Sequence, residues 1–381
     1  MRKNYKPIGD HIKRVEKRNT DLKVTKLLGL SMTKEFRETT SNVVGTDMSV
    51  YKVMSKYQFA CDFMSPIRVN KLPVVLKLDD EPNLVSPAYP VFEVKDKNAL
   101  DPEYLMMWFR RPEFDRYATF KCDAAIRGGY DWEELCETLI PVPTINKQRE
   151  IVAEYNTIQS RINLNRQLIQ KLEEAAQTIY REWFVDGVDV ENLPEGWSEK
   201  PFTEVVKLSG GGTPDTNNES YWNGDIPFFT PADVANSYYS ISTEKRITET
   251  GLKNSSTKLY PKNTVFVTAR GTVGAISIAG YEMAMNQSCY AITAEHPFYV
   301  HQLSLGTMIK LKNEAVGAVF GALVTKDFDA QMVIDPPIEL KEKFEKEVFR
   351  LYEYLLLKTT ENQKLSELKD LLLSKLATIE N

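Results

Sequence analysis

The sequence has few of the residues from which metal sites and disulfide frameworks are built. Its 381 residues include only four cysteines and three histidines. The cysteines form no CxxC pair, and the histidines do not fall at ligand spacing with them. This pattern excludes a zinc module and a disulfide-stabilised scaffold. We expect no metal site in the chain, and buried, reduced thiols at Cys61, Cys122, Cys136 and Cys289.

Long hydrophobic runs are also missing. No stretch of about 18 consecutive apolar residues occurs, and the charged N-terminus has no apolar segment behind it. We therefore expect neither a membrane span nor a signal peptide, and we expect a cytoplasmic location.

The chain has no overall excess of positive charge. Its formal net charge is −5, which argues against a protein that coats nucleic acid through charge alone. Residues 1–40 nevertheless carry eleven Lys and Arg against five Asp and Glu. A local basic excess is compatible with selective DNA binding, in which phosphate contacts supply affinity and a few side chains read bases.

The sequence does contain a long heptad repeat, which follows IPVPT at residues 140–144. Its positions recur with alternating spacings of four and three, which predicts a coiled-coil helix rather than the buried stripe of a core helix. At 1.5 Å per residue, a helix over residues 147–184 is roughly 57 Å long. The expected seam consists of Ile151, Tyr155, Ile158, Ile162, Asn165, Ile169, Leu172, Ala176, Ile179 and Trp183.

A second, less regular heptad repeat follows IDPPIEL at residues 334–340. Aligning IPVP with IDPP gives an offset of 194, and aligning the two QKL triplets gives 193. Two anchors that agree within one residue indicate a tandem repeat of about 190 residues. The expected second seam consists of Phe344, Val348, Leu351, Leu355, Asn362, Leu365, Leu368, Leu372 and Ile379.

We predict an α/β (α+β) fold: two globular domains, each followed by a long α-helix, with the two helices packed as an antiparallel coiled coil. This packing places Asn165 opposite Asn362, as a polar pair that fixes register or as two tolerated polar positions. The expected boundaries are 1–146 for the first domain, 147–186 for the central helix, 187–336 for the second domain and 337–381 for the C-terminal helix.

Three glycines in a row begin the stretch GGGTPDTNN at residues 210–218. A phosphate-binding Walker loop requires Lys-Ser or Lys-Thr after its second glycine, and this stretch has neither. We expect instead a polar loop, with Asn223-Gly224-Asp225 forming a turn after it. The candidate binding residues of the loop are Thr213, Asn217 and Asn218.

The stretch VFVTARGTVGAISI at residues 265–278 predicts a β-hairpin with a glycine-punctuated turn. An arginine flanked by glycine at a strand end can approach a phosphate or a base edge closely. The candidate binding residues in this turn, and in the polar segment ahead of the next strand, are Arg270, Gly271, Thr272, Asn286, Gln287 and Ser288.

Four features together resemble the specificity subunit of type I restriction-modification systems: LPEGW at 193–197, GGTPDTNNESYWNGDIPFFT at 211–230, the ARGTVG turn, and the prolines that precede each heptad repeat. The resemblance implies a non-catalytic subunit with two target-recognition domains. Each domain would read one half of a split, asymmetric site on double-stranded DNA, and the helices would set the unread spacer.

The same resemblance implies partners and their cofactors. Two methyltransferase subunits would bind this chain and use S-adenosylmethionine to methylate adenine. Restriction subunits would add ATP- and Mg-dependent translocation and cleavage. No cofactor is expected in this chain itself.

The first half departs from the family pattern, because residues 1–146 contain no GGTP loop and no RG-V-G turn. Its candidate DNA-binding residues follow from charge and position alone. Arg127 is the strongest of them, since Gly128 and Gly129 after it permit a close approach. The full set is Lys13, Arg14, Arg68, Lys71, Lys121 and Arg127.

The residues also bear on three other functions. The DPPI stretch that begins at Asp335 resembles the DPPY box of amino-methyltransferases but has isoleucine in the aromatic position, so a stand-alone methyltransferase is unfavoured. The ExK triplet of metal-dependent nucleases recurs three times by chance in a chain that is 27% charged. A coiled-coil protein adaptor that reads no DNA is the remaining alternative, and steep salt dependence of DNA binding distinguishes the two.

Overall fold

The computed structural model describes residues 5–39, 45–124, 130–314 and 321–379. The chain divides into two compact units. The first unit consists of residues 1–161 and 365–381, and the second unit of residues 162–364. Each unit therefore contains part of both long helices.

In the described residues of the first unit, ten short strands and four short helices precede the first long helix. Short 3-10 helices lie at Ile8–Asp10 and Met48–Val50. The strands are β1 Tyr5–Pro7, β2 Ile12–Arg14, β3 Leu28–Leu30, β4 Phe36–Glu38, β5 Lys52–Met54, β6 Gln58–Cys61, β7 Val74–Leu76, β8 Asn83–Val85, β9 Val91–Val94 and β10 Leu139–Pro141. The helices are α1 Ser65–Val69, α2 Pro102–Arg110, α3 Pro112–Ala124, α4 Trp132–Glu137 and the long α5 Ile145–Phe184.

A four-stranded antiparallel sheet in the order β2-β9-β6-β7 forms the centre of the first unit. Helix α2 begins after Asp101, whose carboxylate accepts hydrogen bonds from the backbone N–H of Glu103 at 2.8 Å and of Tyr104 at 3.2 Å. It buries Phe109 edge-on against Phe59 in the sheet, with ring centroids 5.8 Å apart. The sheet face and α2 thus share one aromatic core.

The other ten strands that the structure describes lie in the second unit. Its 3-10 helices lie at Glu219–Tyr221 and Pro231–Asp233. The strands are β11 Ser198–Pro201, β12 Lys207–Gly210, β13 Trp222–Phe229, β14 Tyr239–Ser240, β15 Lys245–Ile247, β16 Val265–Thr268, β17 Ile276–Ala279, β18 Ala284–Met285, β19 Cys289–Thr293 and β20 Met332–Asp335. The helices are α6 Phe202–Val205, α7 Glu249–Lys253, α8 Pro297–Glu314, α9 Thr325–Asp329 and the long α10 Ile338–Lys375, which a 3-10 turn at Leu376–Thr378 follows.

A five-stranded sheet in the order β12-β19-β16-β17-β14 carries the second unit's core, beside a three-stranded sheet β15-β13-β18. The hairpin expected at residues 265–278 is confirmed, because β16 and β17 pair antiparallel with Val265 opposite Ile278. The turn expected at Asn223-Gly224-Asp225 is wrong. Those residues lie inside β13 as an irregularity of its pairing with β15, with Asn223 at φ +60°.

The internal repeat is visible in how each unit closes. In the first unit, β1 pairs antiparallel with β10 immediately before the long helix α5. In the second unit, β11 pairs antiparallel with β20 immediately before the long helix α10. The prolines that precede each helix therefore end equivalent strands, which is the duplication that the offset of about 194 predicts.

The two long helices pair antiparallel. In the second unit, the side-chain amide of Asn165 on α5 donates to Oδ1 of Asn362 on α10 at 3.0 Å. Further along the pair, the ring centroids of Phe184 and Phe344 lie 5.3 Å apart. Since the numbering on α5 rises while the numbering on α10 falls, the two helix directions are opposed.

The first unit contains the other end of each long helix. Lys369 on α10 donates to Oε1 of Gln159 on α5 at 2.9 Å. The buried residues Ile151 and Val152 of α5 belong to the same hydrophobic core as Leu373 of α10. The pairing in this unit is therefore antiparallel as well.

Burial of the expected seam residues differs between the two helices. Ile158, Ile162, Asn165, Ile169 and Leu355 are buried, whereas Leu172, Leu351, Asn362 and Leu365 are half-buried.

The C-terminal half of the second seam differs from the sequence-based expectation. Leu368 is 43% exposed, while Leu373 is buried although Leu372 was expected there. The heptad spacing continues from Leu355 through half-buried polar residues to Leu373 and Leu376. A seam predicted from apolar residues alone therefore falls on the wrong positions in this part of α10. The polar members are Thr359, Asn362, Ser366 and Lys369.

The four cysteines all lie in described residues and form no disulfide; three are buried and Cys136 is half-buried. Within the described residues, no helix is both long enough and apolar enough to cross a membrane.

Candidate nucleic-acid interface

Three loops of the second unit lie side by side and carry the candidate residues that the sequence suggests for this unit. The backbone N–H of Gly212 donates to the carbonyl of Met285 at 3.2 Å, and that of Ala269 donates to the carbonyl of Ser288 at 2.7 Å. We call this region the three-loop surface, comprising residues 211–218, 269–275 and 285–288.

The triple glycine is explained by close packing. A Cβ atom at Gly211 would collide with the backbone carbonyl of Asn286, and one at Gly212 would collide with Ser256. Gly210 has open space at the same position. Two of the three glycines are thus needed because backbone passes directly against backbone. Their role is to hold one loop against another, which is distinct from cradling a phosphate.

The turn between β16 and β17 is organised by the buried residue Thr268. Its hydroxyl donates to the carbonyl of Thr272 and accepts a hydrogen bond from the backbone N–H of Ala275 at 3.0 Å. Gly271 and Gly274 have φ values of +78° and +70°, which side chains with a Cβ rarely adopt. The turn is therefore held in one shape by a hydroxyl and two glycines.

Arg270 projects from this turn and is exposed. Among the described residues, none forms an ion pair or a side-chain hydrogen bond with its guanidinium. Gly271 lies against Pro231, which a Cβ at Gly271 would approach to 3.6 Å. An exposed guanidinium on a fixed turn is suited to a phosphate or to the N7 and O6 acceptors of guanine.

The polar loop at 213–218 is folded onto itself. Oδ1 of Asp215 accepts hydrogen bonds from the backbone and side chain of Asn217, at 3.0 and 3.1 Å. The Asp215 carbonyl accepts from Nε1 of Trp222 at 3.1 Å. Oδ1 of Asn218 caps the following 3-10 turn through the N–H of Ser220. The oxygen of Asn218 thus stabilises the loop, while the conformation of Asn217 is fixed by Asp215.

The loops at 211–218 and 285–288 also meet through side chains. The hydroxyl of Thr213 donates to Oε1 of Gln287. Oδ1 of Asn286 accepts from the N–H of Ser288 at 3.0 Å and so holds the turn between β18 and β19. Thr213 and Gln287 therefore form one polar patch, whereas the side-chain oxygen of Asn286 is engaged locally.

In the first unit, three of the candidate cations already have partners. Lys13 pairs with Glu93 at 3.1 Å. Lys121 pairs with Glu134 at 2.7 Å, and the Arg14 guanidinium lies 4.8 Å from the centroid of the Trp132 ring. Neutralised or stacked side chains are weaker phosphate ligands than free ones.

The remaining candidates of the first unit are exposed or not described. Arg68 lies at the C-terminal end of the short helix α1, and Lys71 follows shortly after it; both are exposed. Helix α1 contacts α3, which carries Lys121. Arg127 lies outside the described residues. The structure therefore places Arg68, Lys71 and Lys121 on neighbouring elements, and Lys13 and Arg14 on the edge strand β2.

The DPPI stretch has a structural role in the second unit. The Asp335 carboxylate pairs with Lys200 at 2.7 Å and with Lys341. Burial opposes its ionisation, but the hydrogen bonds from the two lysines outweigh burial and lower the pKa of Asp335. A carboxylate held by two ammonium groups is poorly placed to accept the amine of a target base.

Metal ligands are not grouped in the described parts of the chain: no three His, Cys, Asp or Glu side chains there lie close enough together to hold an ion.

Two residues that organise the three-loop surface were not singled out from the sequence. Thr268 ends a strand of apolar residues, where threonine is typical of strand propensity alone. Asp215 stands among other polar loop residues of similar type. The only sequence signal for Asp215 is its place two residues before Asn217, the spacing of an Asx turn.

Comparisons with known proteins support a single family. Residues 194–369 match the model of the type I restriction modification DNA specificity domain. The type I restriction enzyme HindI specificity subunit of Haemophilus influenzae is 24% identical over 370 residues, which covers 77% of this chain and 80% of that protein. The MjaIX specificity subunit of Methanocaldococcus jannaschii is 39% identical over 101 residues, 26% of this chain and 23% of that protein.

A solved structure has the same fold. The S subunit of a type I restriction-modification system from M. genitalium aligns with 99% of this chain and 96% of its own, at a TM-score of 0.57 and 16% sequence identity.

Proposed function

Because the chain belongs to the specificity subunits of type I restriction-modification systems, we propose that it binds double-stranded DNA and reads a split, asymmetric sequence. The observation that carries this proposal is the three-loop surface, which presents the exposed guanidinium of Arg270, unpaired among the described residues, and the polar patch of Thr213 and Gln287. Hydrogen-bonding side chains on a fixed backbone suit base readout, and an unpaired cation suits phosphate contact.

Each unit has its own set of proposed DNA-reading residues. In the second unit it comprises Thr213, Asn217, Asn218, Arg270, Gly271, Thr272, Asn286, Gln287 and Ser288. In the first unit Arg68 and Lys71 are the stronger candidates, because both are exposed while Lys13 and Lys121 already pair with carboxylates. Residues 1–146 and 187–336 would be the two target-recognition domains.

The partners of a specificity subunit are DNA and the other subunits of the restriction-modification system. We propose two methyltransferase subunits, which would use S-adenosylmethionine, together with ATP- and Mg-dependent restriction subunits. Each unit presents apolar helix residues that suit such docking: Leu164, Leu168 and Leu357 in the second unit, and Leu371 in the first, all exposed by 41% or more. This chain would supply no catalytic group of its own and would act in the cytoplasm.

The proposal is tested by sequencing the adenine methylation pattern of a host with and without this chain. We expect one split motif to be methylated only when the chain and its methyltransferase partners are present. A host whose pattern is identical in both conditions, with active partner subunits confirmed, would leave the protein-adaptor role as the better account.

A further inference from the structure

We propose that Lys312, near the C-terminal end of α8, contacts the DNA backbone together with Arg270 of the three-loop surface. The inference rests on the proposed function and adds a residue to it. Lys312 is separated from the ARGTVG turn by the three strands β17, β18 and β19 and by most of α8, so no motif of the sequence connects them. The connection is made by the packing of α8 against the turn.

The contact between Lys312 and the turn is close. A Cβ atom at Gly274 would lie 3.0 Å from Cε of Lys312 and 3.7 Å from its Nζ. The same atom would lie 3.7 Å from Sδ of Met308, one helical turn earlier on α8. Gly274 therefore admits the lysine side chain along the turn. Its φ of +70° also requires glycine, so the backbone shape and the lysine contact depend on the same residue.

The charges of Lys312 and Arg270 are the second observation. Lys312 and Arg270 are both exposed, and within the described parts of the chain no carboxylate pairs with either. Lys13 and Lys121 in the first unit, by contrast, each pair with a glutamate. Two cations beside one turn, with no counter-charge among the described residues, repel each other slightly, and a phosphate bound to both would relieve that repulsion.

A purely structural role of Lys312 in α8 must be distinguished from a contact with DNA. Lysine in the last turn of a helix is favoured by the helix dipole, without any ligand. In that case loss of the charge lowers the stability of the fold and leaves DNA binding unchanged. A phosphate contact changes instead the salt dependence of binding, because each phosphate neutralised releases counterions from the duplex.

The experiment uses the 381-residue chain and two DNA duplexes. One duplex contains the motif that methylation sequencing of the host identifies, and the other contains the same bases in scrambled order. Lys312→Met keeps the aliphatic stem against Gly274 and removes the charge, whereas Lys312→Arg keeps the charge. Lys346→Met, at an exposed position of α10 in the same unit, is the matched control. Dissociation constants are measured by fluorescence anisotropy at several salt concentrations, and melting temperatures are recorded for every variant.

We expect Lys312→Met to weaken binding to both duplexes by the same factor, and to reduce the slope of log K against log salt by about 0.9. Lys312→Arg and Lys346→Met should keep the wild-type slope. A wild-type slope in Lys312→Met overturns the phosphate contact, and Lys312→Gln decides the matter in the same way if the methionine variant does not fold. Failure of the proposed function looks different, because the wild-type chain itself would then bind the motif and the scrambled duplex equally or not at all.

Discussion

At the scale of single residues, Arg270 combines exposure with a rigid support. The turn that carries it is fixed by the Thr268 hydroxyl and by two glycines with positive φ, so little backbone conformational entropy is lost when the side chain engages a ligand. An arginine on such a turn can donate two parallel hydrogen bonds to guanine, and a lysine cannot reproduce that geometry.

We therefore expect Arg270→Ala to weaken binding to the cognate duplex by roughly 1–3 kcal/mol, while the melting temperature stays unchanged. Arg270→Lys separates the two roles of the side chain: if the residue reads a base, the lysine variant loses discrimination between cognate and scrambled duplex but keeps the salt slope. Titration of both duplexes with each variant measures this. Unchanged cognate affinity in Arg270→Ala would remove the residue from the interface.

At the scale of helices, the polar middle of the long helix pair stands out. Asn165 is almost fully buried and donates to Asn362 across the pair. An amide pair at this position stabilises a helix pair less than leucine would, but it disfavours alternative registers, because sliding one helix breaks the hydrogen bond of the buried Asn165 amide.

For this pair we expect Asn362→Leu to destabilise the chain by about 1–3 kcal/mol, because it removes this partner from the buried Asn165 amide. Asn165→Leu should destabilise the chain less, because Asn362 is half-buried. The double Asn165→Leu/Asn362→Leu variant should be more stable than either single variant, because no amide is left facing leucine. Urea denaturation of the four proteins gives the coupling free energy. Additive effects of the two substitutions would mean that the hydrogen bond contributes no register preference.

Glu345 of α10 supports the start of α8. Oε1 of its carboxyl group accepts a hydrogen bond from the backbone N–H of Tyr299 at 2.7 Å, in the first turn of α8. Burial raises the pKa of Glu345 to about 7, although the hydrogen bonds from Tyr299 and Phe298 act in the opposite direction. The folded chain therefore holds this proton more tightly than the unfolded chain does.

It follows that the contribution of Glu345 to stability is fully present below the ordinary glutamate pKa of 4.5 and is lost as pH rises through about 7. We expect Glu345→Gln to lack this loss, so its melting temperature relative to wild type should be higher at pH 8 than at pH 5. Thermal melts at the two pH values measure the difference. Glu353→Gln, an exposed position on the same helix, serves as the control and should show no such change.

Helices were easier to predict from the sequence than the details of their seams. The first seam was visible because nine of its ten positions are apolar or aromatic and a single Asn interrupts them. In the second seam the heptad positions are occupied by the polar residues Thr359, Ser366 and Lys369. A prediction from apolar residues therefore placed Leu368 in the seam, although Leu368 is exposed. A pattern of apolar residues cannot report a seam that tertiary contacts fill with polar side chains.

At the scale of the whole molecule, the two units have unequal sequence signals. The second unit contains the glycine-rich loop and the ARGTVG turn, whose close packing requires glycine, so its candidate surface could be found from the sequence. The first unit has no such motif, and charge alone could not distinguish exposed Arg68 from Lys121, which pairs with Glu134. Partners of charged residues become visible only in the fold.

The duplication makes a prediction for the complete chain. If each unit reads one half of the DNA site, then exchanging residues 187–336 for the corresponding segment of another specificity subunit should change one half of the methylated motif only. Methylation sequencing of a host that carries the chimaera measures this. A chimaera that alters both halves would show that the units do not read independently, and an unchanged motif would assign all readout to the first unit.

The packing of the glycines in the second unit also has a practical consequence for engineering. Gly211, Gly212, Gly271 and Gly274 are fixed by close contact or positive φ, and Thr268 by its buried hydroxyl. Exposed side chains between these positions, such as Arg270, have no comparable constraint on their identity. A randomised library that holds the five fixed positions constant and varies only such exposed side chains should therefore yield folded proteins with new sequence preferences, whereas a library that includes the glycines should yield mostly insoluble ones.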